Sequence, residues 1–132
     1  CGWLGARGAV TGLHNDDENN VSVQLLGRKR FLLFHPDDRA HIYVNGKYDP
    51  GTECCDVQCD EPDLAAHPAF VKATPYEAVL NPGDGVYIPR GWWHHVRSLD
   101  ASLSVNYFAS TPLEVVREGL WRLALWVLHN VG

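Results

Sequence analysis

Two short stretches of this sequence hold residue types that bind transition metals. In His14-Asn15-Asp16 an imidazole and a carboxylate stand two positions apart. On a β-strand, residues i and i+2 project to the same side, so both groups would share one face. A lone H-x-D triplet is also what a surface pair looks like in a chain with seven histidines. Trp92-Trp93-His94-His95-Val96 adds two histidines to an apolar run, where an imidazole without a partner is costly. A histidine satisfied within the core fits that stretch as well. Two imidazoles and one carboxylate on a rigid barrel make the facial triad of non-haem Fe(II) oxygenases. Such a triad leaves coordination positions open, and its single negative charge leaves a cationic centre that suits an anionic, chelating co-substrate.

That co-substrate needs a cation for its far end. Lys29 shares strand parity with Phe31 and Leu33, whereas Arg28 and Arg30 share the opposite face. A lone inward lysine is expensive unless an anion meets it. The alternative is a solvated Arg28-Lys29-Arg30 hairpin whose lysine snorkels to water. Asn106 falls on one face with Ser102 and Ser104, a row of small polar groups that suits a wet pocket. Thr11 and Asn20 flank the His-x-Asp pair and add hydrogen-bonding groups there.

Strands must position these groups. Apolar patterning between Gly- and Pro-rich turns predicts strands over 21–26, 29–34, 76–80, 86–89, 94–98 and 102–108. A short strand is expected over 42–44. Residues 45–75 read mostly as loop, with a helical turn near 63–66. The ending differs: Thr111-Pro112-Leu113-Glu114 is a capping box with proline at the first helical position. It predicts a helix from Pro112 to about His129, with Leu113, Val116, Leu120, Leu123 and Val127 as its apolar stripe. Trp121, Leu125 and Leu128 widen that stripe beyond what one small barrel can cover. Further residues or a second subunit would supply the surface. Short strands followed by one helix predict a mainly β chain, an antiparallel sandwich or jelly roll with a C-terminal α-helix. The division expected is a core over 1–110 and the helix over 111–132.

The bulk properties bound the rest. The chain has 132 residues, 45% hydrophobic and 20% charged, enough for one domain with a core. A net charge of −5 gives no general attraction to nucleic acid or anionic lipid. No apolar run has the length of a membrane span. Cys54, Cys55 and Cys59 lack paired Cys-x-x-Cys spacing, so free thiols are expected, in a reducing cytoplasm or nucleus. With Cys1 first and no methionine anywhere, the sequence is expected to be a fragment.

Gly8, His14-x-Asp16, Asn20 and Gly27 follow the spacing of the first cupin motif, and Gly83, Pro89-x-Gly91 and His94 that of the second. Asp16 replaces that motif's usual second histidine, and Asn20 its usual glutamate. The spacing selects His94 over His95. Over roughly 3–108 the chain resembles the JmjC/cupin-8 group of 2-oxoglutarate oxygenases, in particular its protein hydroxylases. The resemblance rests on Thr11 through Asn20, Val23 through Arg30, Trp92-Trp93-His94-His95 and Asn106-Tyr107-Phe108. It implies a double-stranded β-helix barrel. It implies that His14, Asp16 and His94 are the catalytic Fe(II) ligands. Lys29 then pairs with the distal carboxylate of 2-oxoglutarate, Thr11 donates a hydroxyl to it, and Asn20 and Asn106 line its pocket. Trp92, Trp93, Tyr107 and Phe108 either keep the centre dry or are plain core.

The implied reaction consumes O2 and 2-oxoglutarate, releases succinate and CO2, and hydroxylates a side chain of a protein or peptide. A demethylase or tRNA-modifying oxygenase shares the same core, although the acidic charge argues against nucleic acid. A cupin module that binds metal without turnover is the reading from another class. The last helix resembles the group's dimerisation region, which implies a homodimer. An upstream segment contributes to the site in that group.

Overall fold

The computed structural model describes residues 1–49 and 52–109. Within them the chain forms β1 (Gly2–Gly5), β2 (Val10–Asp16), β3 (Asn19–Leu26), β4 (Lys29–Phe34), β5 (Val44–Asp49), β6 (Thr52–Cys55), β7 (Tyr76–Leu80), β8 (Gly85–Ile88), β9 (Trp93–Ser98) and β10 (Ser102–Ala109). Short 3-10 turns cover Pro36–Ala40 and Pro68–Lys72. One sheet runs β1-β10-β3-β8 and the other β5-β6-β2-β9-β4-β7. The pairings are antiparallel. Mainly β architecture in two sheets is therefore as expected. The helix expected from Pro112 lies outside the described residues.

The predicted strands lie where the patterning put them, and β4 and β7 have the predicted bounds. The stretch read as loop departs from expectation. Ile42 is in a turn, the strand begins only at Val44, and Thr52–Cys55 is a strand of its own. Thr52-Glu53-Cys54-Cys55 has no alternating apolar pattern. It is a strand because it pairs with β2 and β5. The turn near Asp63 is present, with the Asp63 carboxylate accepting from the Ala65 and Ala66 amides.

Strand β4 divides the core. Leu32 and Phe34 pack on one side with Leu13, Ile42, Cys59 and Trp93. Phe31 and Leu33 pack on the other with Leu80 and Ile88. Between β3 and β4, Gly27 turns at φ +64°, and a Cβ there would lie 2.2 Å from the Ala101 carbonyl oxygen. Only glycine fits that turn.

The four-stranded sheet is polar on its inner face. Asn20, Ser22, Gln24, Ser102 and Ser104 are buried, while Val23, Leu25, Leu26 and Val105 are exposed on the same strands. Buried polar groups need partners or a wet cavity. Here Asn20, Ser22 and Ser104 line the cavity described next, whereas Gln24 and Ser102 bond within the protein.

Candidate metal centre

The site begins with register. Strands β2 and β9 are neighbours, and their ladder sets His14 opposite His94. Asp16 follows on the His14 face by strand parity. The three side chains converge, with donor atoms within 4.8 Å of one another. His94 Nε2 lies 3.5 Å from Asp16 Oδ2, and the two imidazole centroids are 4.0 Å apart. Metal bonds of about 2.1 Å put adjacent donors about 3 Å apart, so little motion would close this set on an ion.

Protonation and tautomer favour ligation. His94 is buried, and burial with His14 close by pushes its pKa down to about 3, so its imidazole is neutral. Its Nδ1 lies 3.2 Å from the Trp92 carbonyl, and His14 Nδ1 lies 2.8 Å from the Gly12 carbonyl. A carbonyl only accepts, so each Nδ1 carries a proton and Nε2 is the ring atom left to face a metal. Thr52 on β6 donates its hydroxyl to Asp16 Oδ1 at 3.3 Å. Gly91 N donates to the Asp16 carbonyl at 2.9 Å, tying the β8–β9 turn to the strand that carries two of the three groups.

A cavity of about 370 Å³ opens beside these residues. Every site residue singled out from the sequence lines it: Thr11, His14, Asp16, Asn20, Lys29, His94 and Asn106. Thr11 and His14 are three apart and would face opposite ways on a regular strand. A register shift between them, a β-bulge, brings both to the cavity. Lys29 is buried and donates to Ser104 Oγ at 2.6 Å. Burial lowers its pKa, and among the described residues no carboxylate pairs with it. The expectation that Lys29 points inward is met in geometry. Ser22 donates to Asn106 Oδ1 and Asn106 Nδ2 to Asn20 Oδ1, both at 3.1 Å, which orients the two amides.

Sequence reasoning placed Ser104 on the pocket face but missed Trp3, Ser22 and Thr52 as lining residues, and Phe31, Ile88 and Val96 as its apolar wall. Thr52 was hidden because its strand was read as loop. The aromatic groups divide. Phe108 lines the cavity, whereas Trp93 is buried in the cluster on the other side of β9. His95 also faces that side. Its Nε2 lies 3.1 Å from Asp60 Oδ2, and Asp60 further accepts from Arg97 at 2.9 Å and Arg30 at 3.1 Å. Burial works against the Asp60 carboxylate, but Arg97 and His95 outweigh it and hold its pKa below the ordinary value. The choice of His94 over His95 for the cavity agrees with the geometry. Among the described residues the cysteines are free thiols, and no other group of three metal-binding side chains converges.

The model of the cupin-like domain family, Cupin_8, matches residues 1–113. This chain belongs to that family. Among curated relatives, the cupin-like chain is 40% identical over 95 residues to tRNA wybutosine-synthesizing protein 5 of Danio rerio, covering 72% of this chain and 28% of the relative. It is 37% identical over 108 residues to lysine-specific demethylase 8 of Danio rerio, covering 82% and 26%. The cupin-like chain thus spans about a quarter of the length of these relatives. Its fold is similar to that of hydroquinone 1,2-dioxygenase from Sphingomonas sp. TTNP3 (TM-score 0.54, 13% identity, 81% of this chain and 56% of that one).

Proposed function

We propose that this cupin-like chain is the catalytic core of an Fe(II)- and 2-oxoglutarate-dependent oxygenase that hydroxylates a protein side chain. One observation carries the reading: a His14/Asp16/His94 set, with both histidine Nδ1 atoms held by backbone carbonyls, shares its cavity with a buried Lys29 that no carboxylate among the described residues pairs with. A pure metal-binding module has no use for that lysine.

His14 and His94 would hold Fe(II) through Nε2 and Asp16 through a carboxylate oxygen. Bound iron supplies oxygen activation coupled to oxidative decarboxylation of 2-oxoglutarate, with succinate and CO2 as co-products. The protein's own part is positioning and shielding. Lys29 receives the distal carboxylate in a charge-assisted contact, with Thr11 adding a hydroxyl at the rim and Ser104 holding the ammonium in place. Asn20 and Asn106 are fixed by their mutual hydrogen bond and present amides to the co-substrate. Phe31, Ile88, Val96 and Phe108 keep water from the reacting end.

The relative named as a lysine-specific demethylase favours a second outcome at the same centre, hydroxylation of an N-methyl carbon with loss of that methyl group. The relative named for wybutosine synthesis makes tRNA a further substrate to test. Homodimerisation through 111–132 and a cytoplasmic or nuclear location belong to this reading as well.

The test is an anaerobic titration of Fe(II) and then 2-oxoglutarate, followed by visible absorbance, with His94→Ala alongside. A charge-transfer band in the parent that is lost in the variant supports the reading. A folded parent that binds neither sinks it. Substrate class follows from screening proteins and tRNA for gain of one oxygen or loss of a methyl group.

A further inference from the structure

The outer side of the strand that carries His14 and Asp16 holds a polar device that takes no part in the cavity. Asn15 lies between those two residues and, by strand parity, faces the other way. The ladder sets it opposite Glu53 on β6 and opposite Trp93 on β9. Asn15 Nδ2 donates to Glu53 Oε2 at 3.3 Å, and the Glu53 backbone amide donates back to Asn15 Oδ1 at 3.2 Å. Arg39, from the turn Pro36–Ala40, closes a fork on the same carboxylate at 2.5 and 2.7 Å. Its guanidinium carbon sits 5.6 Å from the Trp93 ring centroid. Trp93 is the residue before His94. One connected set therefore touches the neighbour of each candidate metal-binding residue.

We propose that Asn15, Glu53 and Arg39 are positioning residues for the metal centre, setting the register of β2 against β6 and β9 so that His14, Asp16 and His94 converge. This deepens the oxygenase reading and rests on it. The need for such a clamp lies in β2 itself. Its ladder with β9 is broken by the bulge between Thr11 and His14, so backbone pairing alone defines the register only weakly there. Asn15 reads the register directly, because its amide meets both the side chain and the backbone amide of one residue on β6. A one-residue slip would lose both bonds and turn His14 away from the cavity. Arg39 holds Glu53 in that pose and, by resting on Trp93, passes the constraint to β9. The Arg39 hydrogen bond, aided by Asn15, holds the Glu53 pKa below its ordinary value against some burial, so the carboxylate is charged at neutral pH. An isolated exposed ion pair would add little. The bidentate fork, the amide pair and the aromatic contact together make a network.

The test reads the metal rather than turnover. Co(II) is titrated into the metal-free full chain, and dissociation constant and visible spectrum are recorded with a thermal melt of each variant. Asn15→Asp sets a carboxylate against Glu53 and is expected to weaken Co(II) binding by about tenfold or more, in the range typical of residues that orient metal ligands. The double variant Asn15→Asp, Glu53→Gln restores a donor to face the new carboxylate and is expected to recover part of that loss, the Arg39 fork being weakened to a single acceptor. Arg39→Lys, a milder change for use if Asn15→Asp does not fold, is expected to lie between. Variants that bind Co(II) with parental affinity and spectrum overturn the clamp while leaving the metal centre intact. So does a double variant no better than the single. A parent that binds no Co(II) sinks the metal centre itself, and the clamp with it.

Discussion

Lys29 Nζ rests on Ser104 Oγ at 2.6 Å, joining β4 of one sheet to β10 of the other at the floor of the cavity. The pairing leaves the ammonium buried with hydroxyl company but no counter-charge among the described residues, which is a costly arrangement unless an anion arrives. Lys29→Ala is therefore expected to weaken 2-oxoglutarate binding by at least about 30-fold, the low end for removing one partner of a buried charge pair. Calorimetric titration with a redox-inert divalent metal present measures it. Ser104→Ala, which only frees the ammonium, should cost about tenfold or less. Unchanged affinity in Lys29→Ala would place the co-substrate elsewhere.

Asp60 gathers His95, Arg97 and Arg30 on the face of β9 and β4 away from the cavity. Asp60→Asn is expected to cost about 1–3 kcal/mol at pH 7, since three donors lose a charged acceptor. The sign with pH follows from the lowered Asp60 pKa. Its stabilisation is present above the ordinary value of 3.8 and is lost as pH falls through the lower folded value. Melting curves of parent and variant should differ most above about pH 4 and converge below it. A gap that stays constant into strong acid would contradict the assignment.

Gly27→Ala should destabilise by about 3 kcal/mol or more, from the left-handed backbone plus the collision with the Ala101 carbonyl. Urea denaturation gives the number. A loss under 1 kcal/mol, on the order of ordinary Gly–Ala exchange, would mean the turn relaxes freely.

Burial pushes both Cys55 and Cys59 up to about 12, whereas Cys1 is exposed. Because the thiolate is the reactive form, iodoacetamide at pH 8 should label Cys1 first and spare Cys55 and Cys59 until the protein unfolds. Peptide mapping decides it. Equal labelling of all three in the folded protein would contradict their burial.

Much of the site was legible because strand parity is a simple rule. His14 with Asp16, Lys29 against Arg28 and Arg30, and the row Ser102, Ser104 and Asn106 all follow from it. Thr11 was legible as a neighbour of the His-x-Asp pair but not by parity, which turns it away until a bulge turns it back. Thr52 and Glu53 were not legible. Their strand has no apolar rhythm, and its pairing with β2 is a long-range fact that local composition does not encode. Likewise, the apolar rhythm of β3 locates the strand but not its buried face, which proved to be the polar one. The fold class needed only the spacing of strands and turns.

The residues that meet at the centre, His14 and His94, are register partners drawn from nearly opposite ends of the described chain. Such a pairing carries the entropy of closing a long loop, which the strands folded between the two residues help to offset. A nascent or half-folded molecule therefore holds scattered histidines and no converged site. Any metal site made of these three residues is thus a property of the folded molecule alone.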